Sequence, residues 1–224
     1  MIRITGDTHG DLSRIIFAEN YKDIPLGEGD ILMICGDFGF IFDGGKLERQ
    51  KLDLIEQKPY TVCFIDGNHE NFELLNAYPE VRFHGGRAHR IRKNIYHLMR
   101  GEIYELEGKT VFAMGGAYSA DRYMRELNES YWEEELPSVG EYDSALSNLE
   151  KRGMSVDIIL THTAPSDAII SLGDTPHPHE AALTDFLDKI KDTVLYESWC
   201  FGHLHTDKRL DSGMRSLYFE CFDL

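Results

Sequence analysis

Ile2-Arg3-Ile4-Thr5 runs directly into Gly6-Asp7-Thr8-His9-Gly10-Asp11, and the reading of residues 2–11 decides the reading of the whole chain. A short β-prone run stops at a glycine, and the residues after it are of types that turn a chain or bind a metal rather than pack a core. The pattern recurs four times. Residues 31–35 lead into Gly36-Asp37, 62–66 into Gly67-Asn68-His69-Glu70, 157–160 into Thr161-His162, and 198–201 into Gly202-His203-Leu204-His205. Several of these runs are continuously apolar, as suits central strands covered on both faces. Between them, residues 12–21, 47–57, 142–152 and 181–190 place apolar side chains three and four apart, and Ser138 with Glu141 has the form of a capping box. Strands alternating with helices predict an α/β fold, with further strands at 110–114 and 217–222. Runs at 81–84, 95–99 and 103–106, with turn signals at Gly85-Gly86 and Gly101, predict an antiparallel addition to the sheet system.

The chain has 224 residues, 39 acidic against 23 basic, for a formal charge of −16. No linker, repeat or low-complexity block divides it, so a single domain over 1–224 is expected. Apolar residues at 42% exclude a mostly disordered chain. No apolar run approaches the roughly 18 residues that span a bilayer, and the amino terminus enters a strand without a cationic and apolar leader. No membrane partner and a cytoplasmic location are therefore expected. Cys35, Cys63, Cys200 and Cys221 sit inside apolar runs without CxxC spacing, which predicts buried free thiols. The acidic balance argues against a large nucleic-acid surface. An anionic substrate would need something that reverses the sign locally.

The strand ends supply that possibility. In open α/β sheets, ligands gather beyond the carboxyl ends of the strands, so these five ends can converge. A single Gly-Asp pair is usually a turn, but five successive strand ends supplying Asp, Asn or His are hard to obtain from turns alone. Imidazole with carboxylate and amide oxygen suits manganese, iron, zinc, cobalt or nickel, and suits calcium poorly. Seven ligating side chains are too many for one tetrahedral zinc, but they serve two ions about 3.5–4 Å apart if a carboxylate bridges. Two such ions, less Asp7 and Asp37, leave a local charge of about +2 that attracts phosphate and lowers the pKa of bound water toward roughly 7.

The ordered set GDTHGD, GDFG, GNHE, TH and GHLH, from Gly6 to His205, resembles the calcineurin-like metallophosphoesterases, in their small bacterial and phage form. The resemblance implies a four-layer α/β/β/α sandwich of two mixed sheets. It implies that Asp7, His9, Asp37 and His205 hold one divalent ion and that Asp37, Asn68, His162 and His203 hold a second, with Asp37 bridging and manganese the first choice of metal. It further implies hydrolysis of phosphomonoesters or phosphodiesters by metal-bound hydroxide. His69 would serve the leaving alkoxide, Asn68 would touch the substrate, and Glu70 and Asp11 would orient the surrounding loop. Serine/threonine phosphoprotein phosphatases of this family carry an arginine soon after the second motif. Here Asp37-Phe38-Gly39-Phe40-Ile41-Phe42-Asp43-Gly44 has none, which argues against a phosphoprotein substrate. A non-catalytic protein-interaction scaffold on the same fold predicts eroded ligands, yet every ligand position is filled. A thiol phosphatase needs a cysteine beside a glycine-rich phosphate loop, and none is present. A small phosphorylated molecule, nucleotides included, is the expected partner; nothing in these residues sets an oligomeric state.

Three further segments invite a reading. Residues 115–135, with Arg122, Arg125 and Trp132, are read first as a solvated loop anchored by Trp132, with folding over the metal mouth, where Arg122 or Arg125 could clamp a phosphate, as the alternative. Residues 81–101 hold Arg82, Arg87, Arg90, Arg92, Lys93 and Arg100 and no acid. They are read first as a solvated strand face, with nucleotide steering or a subunit contact as alternatives. His177 and His179, between prolines, are read as loop residues bordering the pocket.

Overall fold

The computed structural model describes residues 1–224, as two mixed sheets with helices packed against them. The first sheet contains β1 (Ile2–Thr5), β2 (Ile31–Ile34), β3 (Thr61–Phe64), β4 (Glu80–Phe83), β5 (Gly86–Arg92), β6 (Ile95–Leu98) and β13 (Cys221–Asp223). The second contains β7 (Ile103–Leu106), β8 (Lys109–Met114), β9 (Ile158–Thr161), β10 (Ser198–Phe201), β11 (Lys208–Arg209) and β12 (Met214–Ser216). Their orders are β13-β1-β2-β3-β6-β5-β4 and β11-β12-β10-β9-β8-β7. Within them β1, β2, β3 and β6 run parallel, as do β8, β9, β10 and β12. The helices are α1 (Leu12–Glu19), α2 (Lys46–Glu56), α3 (Phe72–Asn76), α4 (Val139–Lys151), α5 (Ser166–Ser171) and α6 (Ala181–Thr193).

Three apolar clusters account for the continuous hydrophobicity of the central strands. Ile2, Ile4, Met33, Cys63, Ile158, Leu160 and Cys200 meet in a cluster drawn from both sheets. The alternate residues Leu32, Ile34, Val62 and Phe64 pack with Ile15 of α1, Leu52 of α2 and Leu75 of α3. On the second sheet Ile159, Trp199 and Phe201 pack with Leu149 of α4, Ile169 of α5 and Leu187 of α6. Successive side chains on a strand point to opposite faces, so strands covered on both sides must be apolar throughout. All four cysteines are buried and free. No helix is long and apolar enough to cross a membrane.

The structure departs from the sequence reading in four places. Residues 217–222, expected as one strand, split: β12 ends at Ser216 in the second sheet, and β13 begins at Cys221 in the first. Residues 103–106 pair antiparallel with β8 in the second sheet instead of joining the 81–99 strands. The basic stretch includes a strand that the sequence reading did not name, β5, between β4 and β6. The short helices α3 and α5 span only five and six residues, too few for a 3.6-residue period to show. The capping box is present: the Ser138 hydroxyl accepts the Glu141 N–H, and the Glu141 carboxylate accepts the Ser138 N–H at 2.7 Å.

Candidate metal centre

The five strand ends come together. β1 opens into Asp7 and His9, β2 into Asp37, β3 into Asn68 and His69, β9 into His162, and β10 into His203 and His205. Backbone hydrogen bonds join the loops. The Thr8 and His9 N–H groups both donate to the Asp37 carbonyl, at 3.1 and 2.8 Å, and the Gly202 N–H donates to the His162 carbonyl at 3.0 Å. The carboxylates are held in the same way, Asp37 Oδ1 by the His69 N–H at 2.8 Å and Asp7 Oδ1 by the His203 N–H at 3.0 Å.

Glycines allow this approach. A Cβ at Gly36 would lie 2.5 Å from His162 Cγ, one at Gly67 2.5 Å from the Asp37 nitrogen, and one at Gly202 2.8 Å from the Cys35 carbonyl oxygen, all inside the 3.0 Å that real Cβ atoms respect. Each strand-end glycine thus vacates the space into which its neighbour's end fits. His9, Asp37, His203 and His205 have φ of 46°, 46°, 63° and 47°, left-handed conformations that cost about 1–3 kcal/mol each and cluster at functional sites.

The ligating atoms of Asp7, His9 and His205 lie within 4.8 Å of one another, as do those of Asp7, Asp37 and His162. His9 Nε2 and His205 Nε2 face each other at 3.0 Å, and His205 Nε2 is 3.0 Å from Asp7 Oδ2. Asp37 reaches this first group through its Oδ2, 3.8 Å from His9 Nδ1. In the second group His162 Nε2 lies 3.1 Å from Asn68 Oδ1 and 3.5 Å from Asp37 Oδ1. Asp7 belongs to both groups, and His203 belongs to neither, although its ring centroid is 4.9 Å from that of His162.

Protonation shows what the cluster lacks. A carbonyl only accepts, so the 2.7 Å bond between His162 Nδ1 and the Cys35 oxygen places a proton on Nδ1. In the neutral ring Nε2 is then a bare acceptor, pointed at two more acceptors. The chain alone relieves this by protonating the ring: burial opposes the charge, but Asp37 beside it raises the His162 pKa well above its ordinary value. Burial would likewise raise Asp37, yet the charge of His162, then of His69 and His9, holds its carboxyl far below the usual range. Burial first, and the His162 charge next, push His203 down to about 4. A hydrogen bond to Asp7 raises His205. A divalent cation would satisfy the same lone pairs without that proton, as metal ligands require.

The surrounding residues sort themselves by contact. Glu70 is fully buried, and its Oε1 accepts the Phe38 N–H at 2.6 Å, holding the loop after Asp37; burial, then the Asp37 charge, raises its pKa well above normal. Asp11, expected to orient the surrounding loop, caps α1, accepting the Ser13 N–H at 2.8 Å. Residues 115–135 do reach the site: Arg125 Nη1 donates to His69 Nδ1 at 2.9 Å while its Nε and Nη2 are held by Asp121 at 2.7 and 2.8 Å. Arg122 has Nε and Nη2 committed to Glu135, at 3.1 and 2.9 Å, and lies over the Tyr118 ring. Trp132 is buried against Phe42. His177 stacks on Tyr118, with ring centres 4.4 Å apart, and His179 lies beside it. Ser119, given no role in the sequence reading, accepts the Asn68 amide at 2.9 Å; no local signal marks that contact or the one at the Cys35 carbonyl. The basic stretch is partly neutralised within the chain, Arg87 by Glu102, Arg92 by Asp53 and Arg100 by Asp66. Burial raises the thiol pKa of all four cysteines, leaving no nucleophilic thiolate near the cluster.

No protein-family model matches the chain, and no curated protein matches it either.

Proposed function

We propose that this chain is a dinuclear, metal-dependent phosphoesterase of the calcineurin-like type, with its sheets and helices forming the four-layer sandwich of that family, acting on a small phosphorylated molecule. The observation that carries the reading is the convergence of carboxylate, amide and imidazole atoms from five strand ends, with the lone pairs of His162, Asn68 and Asp37 aimed at one another. That donor set fits first-row divalent ions such as manganese, zinc, iron, nickel or cobalt. Asp7, His9 and His205, with Asp37, would hold one ion; Asp37, Asn68 and His162, with Asp7 in reach and His203 beside them, would hold the other. When bound, a pair of such ions supplies positive charge for the phosphoryl oxygens and a nucleophile from water at neutral pH.

The chain's own groups do the rest. Cys35, through its carbonyl, keeps His162 Nε2 free to bind, and Ser119 fixes which face of the Asn68 amide points inward. Arg125 donates to His69 Nδ1, so the neutral imidazole carries its proton on Nε2 and can stabilise a leaving oxygen with a hydrogen bond. Asp121 holds the guanidinium in that position.

The test is parallel hydrolysis of p-nitrophenyl phosphate and bis(p-nitrophenyl) phosphate by protein stripped of metal and reloaded with manganese, zinc or nickel. Metal-dependent turnover of one or both esters supports the reading, and their ratio assigns monoester or diester preference. No turnover with any metal would transfer the case to a non-catalytic scaffold.

A further inference from the structure

A cavity of about 670 Å³ lies away from the metal cluster, between α3, strands β5 and β6, and the segment leading into α4. Its floor holds a buried chain of polar groups. Arg100 donates through Nε and Nη2 to Asp66 Oδ2, at 2.8 and 2.5 Å; His97 Nε2 is 3.0 Å from Asp66 Oδ1; and His97 Nδ1 is 3.0 Å from His89 Nδ1. The histidines are cross-strand partners on β5 and β6.

Geometry fixes what the pair does. The ring planes are within 16° of each other and the ring centres are 5.3 Å apart, whereas the Nδ1 atoms are only 3.0 Å apart. The difference is about one ring's width, so both nitrogens lie on the line between the centres and the rings meet edge to edge. A metal ion needs about 2.0–2.1 Å to each imidazole nitrogen, so none fits between lone pairs that meet head-on at this distance. What fits is one proton.

The proton positions can be assigned one after another. Arg100 keeps Asp66 ionised, and a carboxylate only accepts, so His97 carries its proton on Nε2. With both rings neutral, His97 Nδ1 is an acceptor and His89 must donate from Nδ1. His89 Nε2 is left as a bare acceptor with no partner in the chain, on a side chain only 6% exposed that lines the cavity. Burial first, then His97, lowers the His89 pKa to about 4, which keeps the ring neutral.

The remaining lining selects the ligand. Arg100 is the one basic side chain other than histidine on the wall, and its charge is countered: Nε and Nη2 bond Asp66, Nη2 also the Glu134 carbonyl at 2.7 Å, and Nη1 faces Glu141 at 3.7 Å. Acids outnumber that single guanidinium on the wall, which disfavours a phosphate. The acids Glu133, Glu134 and Glu141 also line the cavity, and Phe72, Met99, Leu127 and Leu136 give it an apolar wall. We propose that this cavity is a second binding site, for a small organic cation that carries a protonated amine on an apolar body and donates a hydrogen bond to His89 Nε2. The site is separated from the metal cluster by a single segment: Glu134 and Leu136 face the cavity, while Glu135 between them accepts the N–H of Ser119, the residue that holds Asn68.

The probe is phenethylamine hydrochloride, titrated by calorimetry into the full chain without added metal, with imidazole ¹⁵N spectra recorded in parallel. Saturable one-to-one binding is expected, with the His89 Nε2 resonance moving from its free-acceptor position while His97 stays in the Nε2–H tautomer. His89→Phe and the double variant Glu133→Gln, Glu134→Gln should each weaken binding by about tenfold or more, the loss of a hydrogen bond or charge partner to a cation. Asp211→Asn, which removes one acid from a distant exposed loop, should leave the affinity unchanged. Absence of saturation by about 10 mM, where even a millimolar ligand is mostly bound, overturns the proposal. So does equal weakening by Asp211→Asn, or a wild-type spectrum in which His89 already carries its proton on Nε2. The spectra use unaltered protein and so stand even if a variant fails to fold.

Discussion

Replacing Gly36 by alanine should empty the second metal position without altering any ligand. Gly36 has φ of +91°, and a Cβ there would sit 2.5 Å from His162 Cγ. Reaching an ordinary 3.4 Å contact requires moving Cγ by about 0.9 Å and the nearer Nδ1 by more, with the backbone of β2 unable to yield because its neighbours β1 and β3 pair with it on both sides. Such a shift pulls His162 Nδ1 off the Cys35 carbonyl and carries Nε2 away from Asp37 and Asn68. The positive φ costs about 1–3 kcal/mol for a non-glycine residue, and losing the buried hydrogen bond of a charged ring costs about 1.5–3 kcal/mol. Gly29 is the matched control, with φ of +86° and open space around its Cβ position, so Gly29→Ala carries only the backbone cost. The two variants should therefore differ by roughly 1.5–3 kcal/mol, or about 3–12 °C in Tm for a chain of this length. Calorimetry with metal analysis on both proteins makes the comparison: Gly36→Ala should lose close to one metal equivalent while Gly29→Ala keeps the wild-type content. Equal melting temperatures with equal metal content would refute the claim that close packing of strand ends builds the site.

Other expectations bear on separate links. Asp37→Asn should lower metal content and turnover together, by more than the roughly 10–100-fold that removing an outer partner of a ligand costs, as measured by metal analysis and steady-state rates on one preparation. His69→Asn should keep the metal and lose roughly 10²–10³-fold in rate for alkyl esters but much less for nitrophenyl esters, whose leaving group needs little stabilisation; unchanged relative rates would remove His69 from the leaving-group role. Stability should fall with acid through His89. Its folded pKa of about 4 lies below the roughly 6.5 of an unfolded histidine, so the unfolded chain binds the extra proton between these values. The contribution is whole above pH 6.5 and drains away as pH drops to 4, by about 2 kcal/mol at pH 5. Denaturant melts at pH 7.5 and 5 should show that part of the loss in the wild type and lack it in His89→Phe.

The strand ends were legible because each one announces itself within a few residues: an apolar run, a glycine or, before His162, Thr161, then a ligand type. The doubly covered strands were legible for the same reason, since Leu32 and Met33 must both be apolar whichever way each points. Pairing was less legible, because a run such as Ile103–Leu106 says that it is a strand but not which sheet supplies its partner. Residues 217–222 read as one strand, although the chain crosses between the sheets there: Leu217 joins the cluster between the sheets, and Cys221 packs on the helix side of the first. β5 was hidden by Arg87, Arg90 and Arg92, which interrupt the apolar pattern although Ala88, His89 and Ile91 among them are buried. Long-range polar contacts left no trace at all. The spacing of His89 and His97 does not disclose that they share a proton, and nothing in the sequence marked Asp11 as the cap of α1.

The most direct test of the central claim is anomalous diffraction from crystals of the manganese-loaded protein. The account predicts two peaks, one touched by Asp7, His9 and His205 and the other by Asp37, Asn68 and His162. A single peak, or peaks bound elsewhere while these side chains remain hydrogen-bonded to one another, would contradict it.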